Sequence, residues 1–229
     1  MSDDNDTLKD IVSVGLDLKP KTLLNAYSKG VFPWPSPGLP LLWYCPQRRA
    51  VIDFATLHYS KRLKQYLKKV AWTYTIDRAF GEVMEACTER GDEGTWITDE
   101  MQEAYLEMNR LGHAHSIEVW NGDELIGGLY GMDVGGYFAG ESMFHRTDNA
   151  SKAAILFVIA LQKKVGRSWM DIQVLTPHME AFGAVEISRA DFLKKLNAAT
   201  EALKFGSGIR PFETERESFI YSDFCKLIE

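Results

Sequence analysis

Residues 169 to 174 read Trp-Met-Asp-Ile-Gln-Val, and their alternation is the first chemical signal in the chain. In a strand, successive side chains point to opposite faces. Met170, Ile172 and Val174 then share one face, and Trp169, Asp171 and Gln173 the other. The second face sets a carboxylate beside an amide, an arrangement that can orient an amine. The same pattern also fits the solvated outer face of an edge strand, and spacing leaves both readings open.

A second signal is Gly140-Glu141-Ser142-Met143-Phe144. Glycine inside a strand lets a backbone or a ligand approach closely. A carboxylate among apolar neighbours must be paired, exposed or functional, because burying it alone is costly. Trp96 precedes a helix cap, and Trp43 follows a proline-rich loop. Each can be plain core or a stacking platform for a nucleobase. Lys61, Arg62, Lys64, Lys68 and Lys69 gather positive charge on one helix face. Such a face is either simply solvated or a contact for phosphates. His113 and His115 lack a third ligand at metal spacing. The signatures of nucleotide hydrolysis, dinucleotide binding, zinc proteolysis and serine hydrolysis are not in the sequence.

These residues need elements to hold them. Lys21 to Lys29 is predicted as a short helix, with Pro20 near its start and Gly30 as its stop. Four prolines between 33 and 40 forbid helix and central strand there, so that stretch is predicted as a rigid loop. Leu41 to Ile52 is predicted to be extended. Ser60 caps a helix through Lys69, and Thr98 caps another that Gly112 ends. Trp72, Tyr74 and Ile76 alternate as a strand, while Phe80, Val83, Met84 and Cys87 form a helical stripe. Ser116 to Trp120, the turn Asn121-Gly122, and Glu124 to Tyr130 make a hairpin, with a third strand at Tyr137 to Phe144. Ala150 to Lys164 is a helix apolar on nearly every side, hence buried. Ser168 to Leu175 follows as a strand, and Ser188 caps a last helix. A meander followed by strand–helix–strand predicts an α+β layered domain.

Composition narrows the class. The chain has 229 residues, 26 basic and 32 acidic, for a formal net charge of −6. That balance argues against a protein that coats nucleic acid over its whole surface, but not against one local basic patch. The N-terminus is acidic and polar, unlike a secretory signal. The longest apolar run, Ala153 to Leu161, is too short to span a bilayer. Cys45, Cys87 and Cys225 form no CxxC pair, so neither a disulfide framework nor a structural zinc site is expected. A cytoplasmic location follows as the expectation.

Seven stretches resemble the bacterial leucyl/phenylalanyl-tRNA–protein transferases, in family order. They are Ala26 to Trp34, Glu93 to Thr98, Gly112 to Trp120, Leu125 to Gly131, Gly140 to Phe144, Asn149 to Lys152, and Asp171 to Leu175. The resemblance implies a small N-terminal domain, residues 1–56, before a GNAT-like acyltransferase domain, residues 57–229. It implies transfer of Leu or Phe, with Met as a further donor, from aminoacyl-tRNA to the α-amine of proteins beginning with Arg or Lys. Proteins so modified are marked for degradation. No metal and no cofactor, coenzyme A included, is implied, and the protein is expected to act as a monomer. Asp171 and Gln173 correspond to the family's catalytic pair. Asp171 would orient or deprotonate the amine through Gln173, or hold the acceptor's cationic side chain. Glu141 would position the acceptor and the tRNA 3′ adenosine. Trp43 and Trp96 would hold that adenosine, with Gly140 and Ser142 beside it. Leu129, Phe138, Met143, Ile155 and Met170 would form an apolar pocket for the amino acid. The basic face of Lys61, Arg62, Lys64, Lys68 and Lys69 would meet the tRNA. An acetyltransferase using acetyl-CoA is the alternative, but residues 144 to 151 contain no glycine, unlike its usual pyrophosphate loop. A non-catalytic tRNA- or peptide-binding module is a third reading.

Overall fold

The computed structural model describes residues 9–36, 38–89, 95–205, 211–213 and 217–228. Two sheets organise it. A small sheet has the order β1-β3-β2, from β1 (Ile11–Val14), β2 (Phe32–Trp34) and β3 (Leu42–Tyr44). Helix α1 (Pro20–Tyr27) connects β1 to β2. Pro33 lies in β2, an edge strand, where a residue without an N–H costs no ladder bond.

The large sheet has the order β10-β4-β9-β8-β7-β6-β5-β11. Its strands are β4 (Arg48–Asp53), β5 (Thr73–Ile76), β6 (Ala114–Asn121), β7 (Glu124–Val134), β8 (Tyr137–His145), β9 (Trp169–Gln173), β10 (Val185–Ser188) and β11 (Phe219–Ile220). Strand β4 precedes the domain boundary expected near residue 56, yet it pairs with β9 and β10 inside this sheet. The β6–β7–β8 meander is antiparallel, and β8 meets β9 in parallel at Ala139 and Asp171. The result is an α+β architecture, a central and mostly antiparallel sheet flanked by helices.

Helix α2 (Lys61–Leu67) starts where the Ser60 hydroxyl accepts the Leu63 N–H at 3.1 Å. Helix α4 (Asp99–Arg110) starts the same way, with Thr98 accepting the Met101 N–H at 3.2 Å and two acids in the first turn. A cap of this kind contributes about 1 kcal/mol. Helix α3 (Phe80–Thr88) buries the predicted stripe against the meander. Helix α5 (Ala150–Lys164) is buried except at Lys152, Lys163 and Lys164, because it fills the other face of the sheet.

Beyond β9 come the short helix α6 (Pro177–Glu180) and helix α7 (Arg189–Phe205). Ser188 does cap α7, accepting the Asp191 N–H at 3.1 Å, but α7 is not the last helix. The C-terminal stretch adds β11 to β5 and folds helix α8 (Tyr221–Ile228) onto α5. Its contacts are aromatic, with Phe224 packed 4.8 Å from Phe157 and 5.0 Å from Tyr74. Among the described residues, no helix is long and apolar enough to cross a membrane.

Candidate active site

Strand β9 lies between β4 and β8, so the edge-strand reading of Asp171 and Gln173 is overturned. Met170 and Ile172 pack toward α5, while Trp169 belongs to the core on the opposite face. Asp171 is wholly buried there, and its partner is Arg49 of β4. Arg49 Nε donates to Oδ1 at 2.8 Å, and Nη2 donates to Oδ2 at 2.6 Å. The guanidinium lies between the rings of Phe32 and Phe192, 4.5 Å from each centroid. Burial opposes the charge on Arg49, but the Asp171 carboxylate outweighs it and the pKa is raised. Two aromatic faces and a two-pronged ion pair thus fix one buried cation.

Asp171 Oδ1 also accepts the backbone N–H of Gln173 at 3.0 Å. That bond supports a backbone outlier. Gln173 has φ of 57°, and the Val174 N–H turns back to the Ile172 carbonyl at 2.6 Å. A tight turn with positive φ at a non-glycine residue stores strain that the surroundings must hold. Here it ends β9 and sends the Gln173 side chain across to β8. Gln173 Nε2 donates to Glu141 Oε1 at 3.0 Å.

The other Glu141 oxygen accepts from the Tyr105 hydroxyl at 3.2 Å, and Tyr105 meets the Tyr27 hydroxyl at 2.5 Å. Both tyrosines are wholly buried. Glu141 itself keeps a partly open edge, yet its carboxyl is set deep among these groups. Burial pushes its pKa up to about 8, against the hydrogen bonds from Tyr27 and Tyr105, and the nearby Asp171 charge adds to the rise. A carboxyl titrating near neutrality can take or give a proton at working pH.

Glu141 and Gln173 open onto a cavity of about 670 Å³ between β8, β9 and the start of α5. Leu129, Met143, Ile155 and Met170 give it an apolar floor, with Gly140 and Ser142 also on the wall. Phe138 is not on that wall; it is buried, with its ring 5.2 Å from Phe212. Trp43 is wholly buried and has no face open to a base. The half-buried tryptophan beside Trp96 is instead Trp34, with centroids 5.8 Å apart. Trp34 adjoins Phe32 at 6.1 Å, so the pair connects to the ring that covers Arg49.

On α2 and in the turn that ends it, Lys61, Arg62, Lys68 and Lys69 are exposed and Lys64 is half-buried, and none of these five lines the cavity. Among the described residues, no three His, Cys, Asp or Glu side chains gather as a metal site. Arg49, Tyr27, Tyr105 and Trp34 were not picked out from the sequence as site residues.

Comparison with known proteins assigns the chain to a family. The profile of the leucyl/phenylalanyl-tRNA protein transferase family matches residues 51–197. The profile of that family's N-terminal domain matches residues 16–47. The chain belongs to this family. It is therefore an enzyme, an acyl-transferring one by the family's name. A leucyl/phenylalanyl-tRNA–protein transferase of Shewanella pealeana is 50% identical over 188 residues, 81% of this chain and 80% of the relative. Those of Shewanella baltica and Citrobacter koseri are 48% and 47% identical, each over 82% of this chain and 80% of the relative.

Proposed function

We propose that the enzyme transfers leucine or phenylalanine from charged tRNA to the N-terminal α-amine of proteins that begin with Arg or Lys. The modified proteins would be marked for degradation, and the enzyme would work in the cytoplasm as a monomer. The observation that carries this reading is the cavity itself. An apolar floor fit for a leucyl or phenylalanyl side chain ends at one polar group pair, Gln173 and Glu141.

The chemistry needs few groups. The donor ester is already activated, and the nucleophile is an α-amine with an ordinary pKa near 8. Holding the two together supplies most of the acceleration. The amine nitrogen attacks the ester carbon, a C–N bond forms, and the bond to the ribose oxygen breaks. Gln173 orients the amine, and Glu141 in its carboxylate form takes the proton. Glu141 then gives that proton to the departing ribose oxygen, which leaves as a hydroxyl, and Glu141 is a carboxylate again. Asp171 is committed to Arg49 and to the Gln173 backbone, so its part is to hold the strained turn rather than to touch the acceptor. The Trp34–Trp96 pair offers the terminal base a stacking surface. The basic face of α2 offers the tRNA backbone a local patch on an otherwise acidic protein. The acid surplus favours approach of a cationic N-terminus.

The test is transfer of labelled leucine from charged tRNA to peptides beginning with Arg, Lys or Met, without metal or coenzyme A. Label on the Arg and Lys peptides is expected. No transfer, beside robust acetylation from acetyl-CoA, would overturn the reading.

A further inference from the structure

The cavity has a second end that the chemistry at Glu141 and Gln173 does not use. His145 lies four residues further along β8, about 13 Å at the rise of an extended strand. His145, Arg146, Ser151 and His178 line this end. Burial pushes the His178 pKa down, and the nearby charges of Lys152 and His145 push it further the same way, which places Lys152 in the same group. Glu89 is also on the wall, in an exposed pair with Arg146 at 3.5 Å.

Ser151 is the informative residue. It is 4% exposed, it lines the cavity, and its hydroxyl has no hydrogen-bond partner among the described residues. It also stands in the first turn of α5, a helix of 15 residues. There the Ala150 N–H goes to the Thr147 carbonyl at 3.1 Å, and the Ala153 N–H goes to the Asn149 carbonyl at 2.9 Å. The Ser151 and Lys152 amides are the first-turn donors that remain. Asn149 enters the helix at φ of 71° and caps neither with its side chain, which accepts from Lys152 Nζ at 3.3 Å. Gly127 of β7 fixes this helix start in place: a Cβ there would lie 2.5 Å from Ala150 Cβ. Free amides, the helix dipole and an unpartnered hydroxyl on the cavity wall together favour an anion.

We propose that this end of the cavity holds a phosphodiester of the charged tRNA's 3′ tail, on the Ser151 hydroxyl, the first-turn amides of α5, and the charges of Arg146 and Lys152. The proposal rests on the tRNA-dependent reading above. The acceptor does not fit here, because an N-terminus beginning with Arg or Lys would be repelled by the same charges.

The experiment compares two minimal donors, leucyl-adenosine, which has no phosphate, and a leucylated CCA trinucleotide. The ratio of their kcat/KM values is measured for the wild-type enzyme, Ser151→Ala and Lys152→Met. Wild type should prefer the trinucleotide. That preference should fall about tenfold in each variant, the worth of one charge-assisted hydrogen bond. A merely structural role would depress both donors alike and leave the ratio unchanged, which would overturn the proposal. A raised KM for the peptide acceptor in place of a changed ratio would overturn it as well. Should Lys152→Met not fold, Ser151→Ala decides, since it removes only an unpartnered hydroxyl. Wild type transferring from neither donor would overturn the tRNA reading itself, and the phosphate site with it.

Discussion

Arg49 and Asp171 grip each other through two hydrogen bonds, at 2.8 and 2.6 Å, with 1% and 0% of their side chains exposed. They are 122 residues apart in sequence and lie on the neighbouring strands β4 and β9, where Asp171 is in register with Val51. The pair is not a surface ornament. It saturates the carboxylate that otherwise looks like the site's free base, and it passes rigidity to the Gln173 turn. Breaking such a pair from one side leaves a bare buried charge, which costs about 3–5 kcal/mol. Arg49→Met and Asp171→Asn are each expected to lose stability on that scale in urea unfolding. The combined Arg49→Met, Asp171→Leu variant should recover much of the stability and none of the transfer rate.

Glu141 should tie stability to pH. Its pKa is about 8 in the folded protein, against an ordinary value of 4.5. The folded chain therefore binds a proton that the unfolded chain releases between those values. Stability should fall as pH rises from about 4.5 to about 8, relative to Glu141→Gln, which has no proton to lose. The check is urea midpoints of both proteins across that range. Parallel curves would mean that the Glu141 pKa is not raised.

The three tryptophans Trp34, Trp43 and Trp96 should not behave alike. Trp34→Ala and Trp96→Ala are expected to weaken donor binding by about tenfold each, within the range of one lost base stack. Trp43→Ala should instead cost about 3–5 kcal/mol of stability through a core cavity, with donor affinity in the folded protein unchanged. Fluorescence binding of an aminoacyl-adenosine analogue, beside thermal unfolding, separates the two.

The apolar floor sets the donor side chain. Ile155→Ala enlarges it and should raise the kcat/KM of Phe-tRNA relative to Leu-tRNA by about tenfold, the usual worth of a methylene-scale change in a pocket. Competition between the two charged tRNAs reads the ratio directly.

Neutralising Lys61, Arg62, Lys64, Lys68 and Lys69 together should weaken tRNA binding and flatten its dependence on log salt. Each lost phosphate contact removes about 0.7–0.9 from the slope. An unchanged slope would return the face to plain solvation.

What the sequence disclosed follows from the range of each interaction. Caps act over three residues, so Ser60, Thr98 and Ser188 were legible. Burial on every side was legible in α5, because a helix of 15 residues with so few polar positions has no solvent face. The partner of Asp171 was not, since nothing local distinguishes Arg49 from Arg48, which faces solvent and Glu186. The meeting of Gln173 and Glu141 was not legible either. It depends on a positive φ at a residue type that rarely adopts one. Trp43 drew attention by following a proline loop, but the alternation of a three-residue strand turns it inward and leaves Tyr44 half-buried. The C-terminal strand and helix were missed because their apolar partners lie in α5 and β5, far back in the chain.

One measurement tests the central claim most directly. Wild-type enzyme, Asp171→Asn and Gln173→Ala are each mixed with leucyl-tRNA and an Arg-initiated peptide under single-turnover conditions, and the peptide is weighed by mass spectrometry. The account predicts one added leucyl residue on the α-amine with wild type. It predicts a rate at least about a hundredfold lower for either variant, on the scale of a lost orienting group in a preorganised site, with tRNA binding retained. A peptide of unchanged mass with the wild-type enzyme, or variants that transfer as fast as wild type, would contradict it.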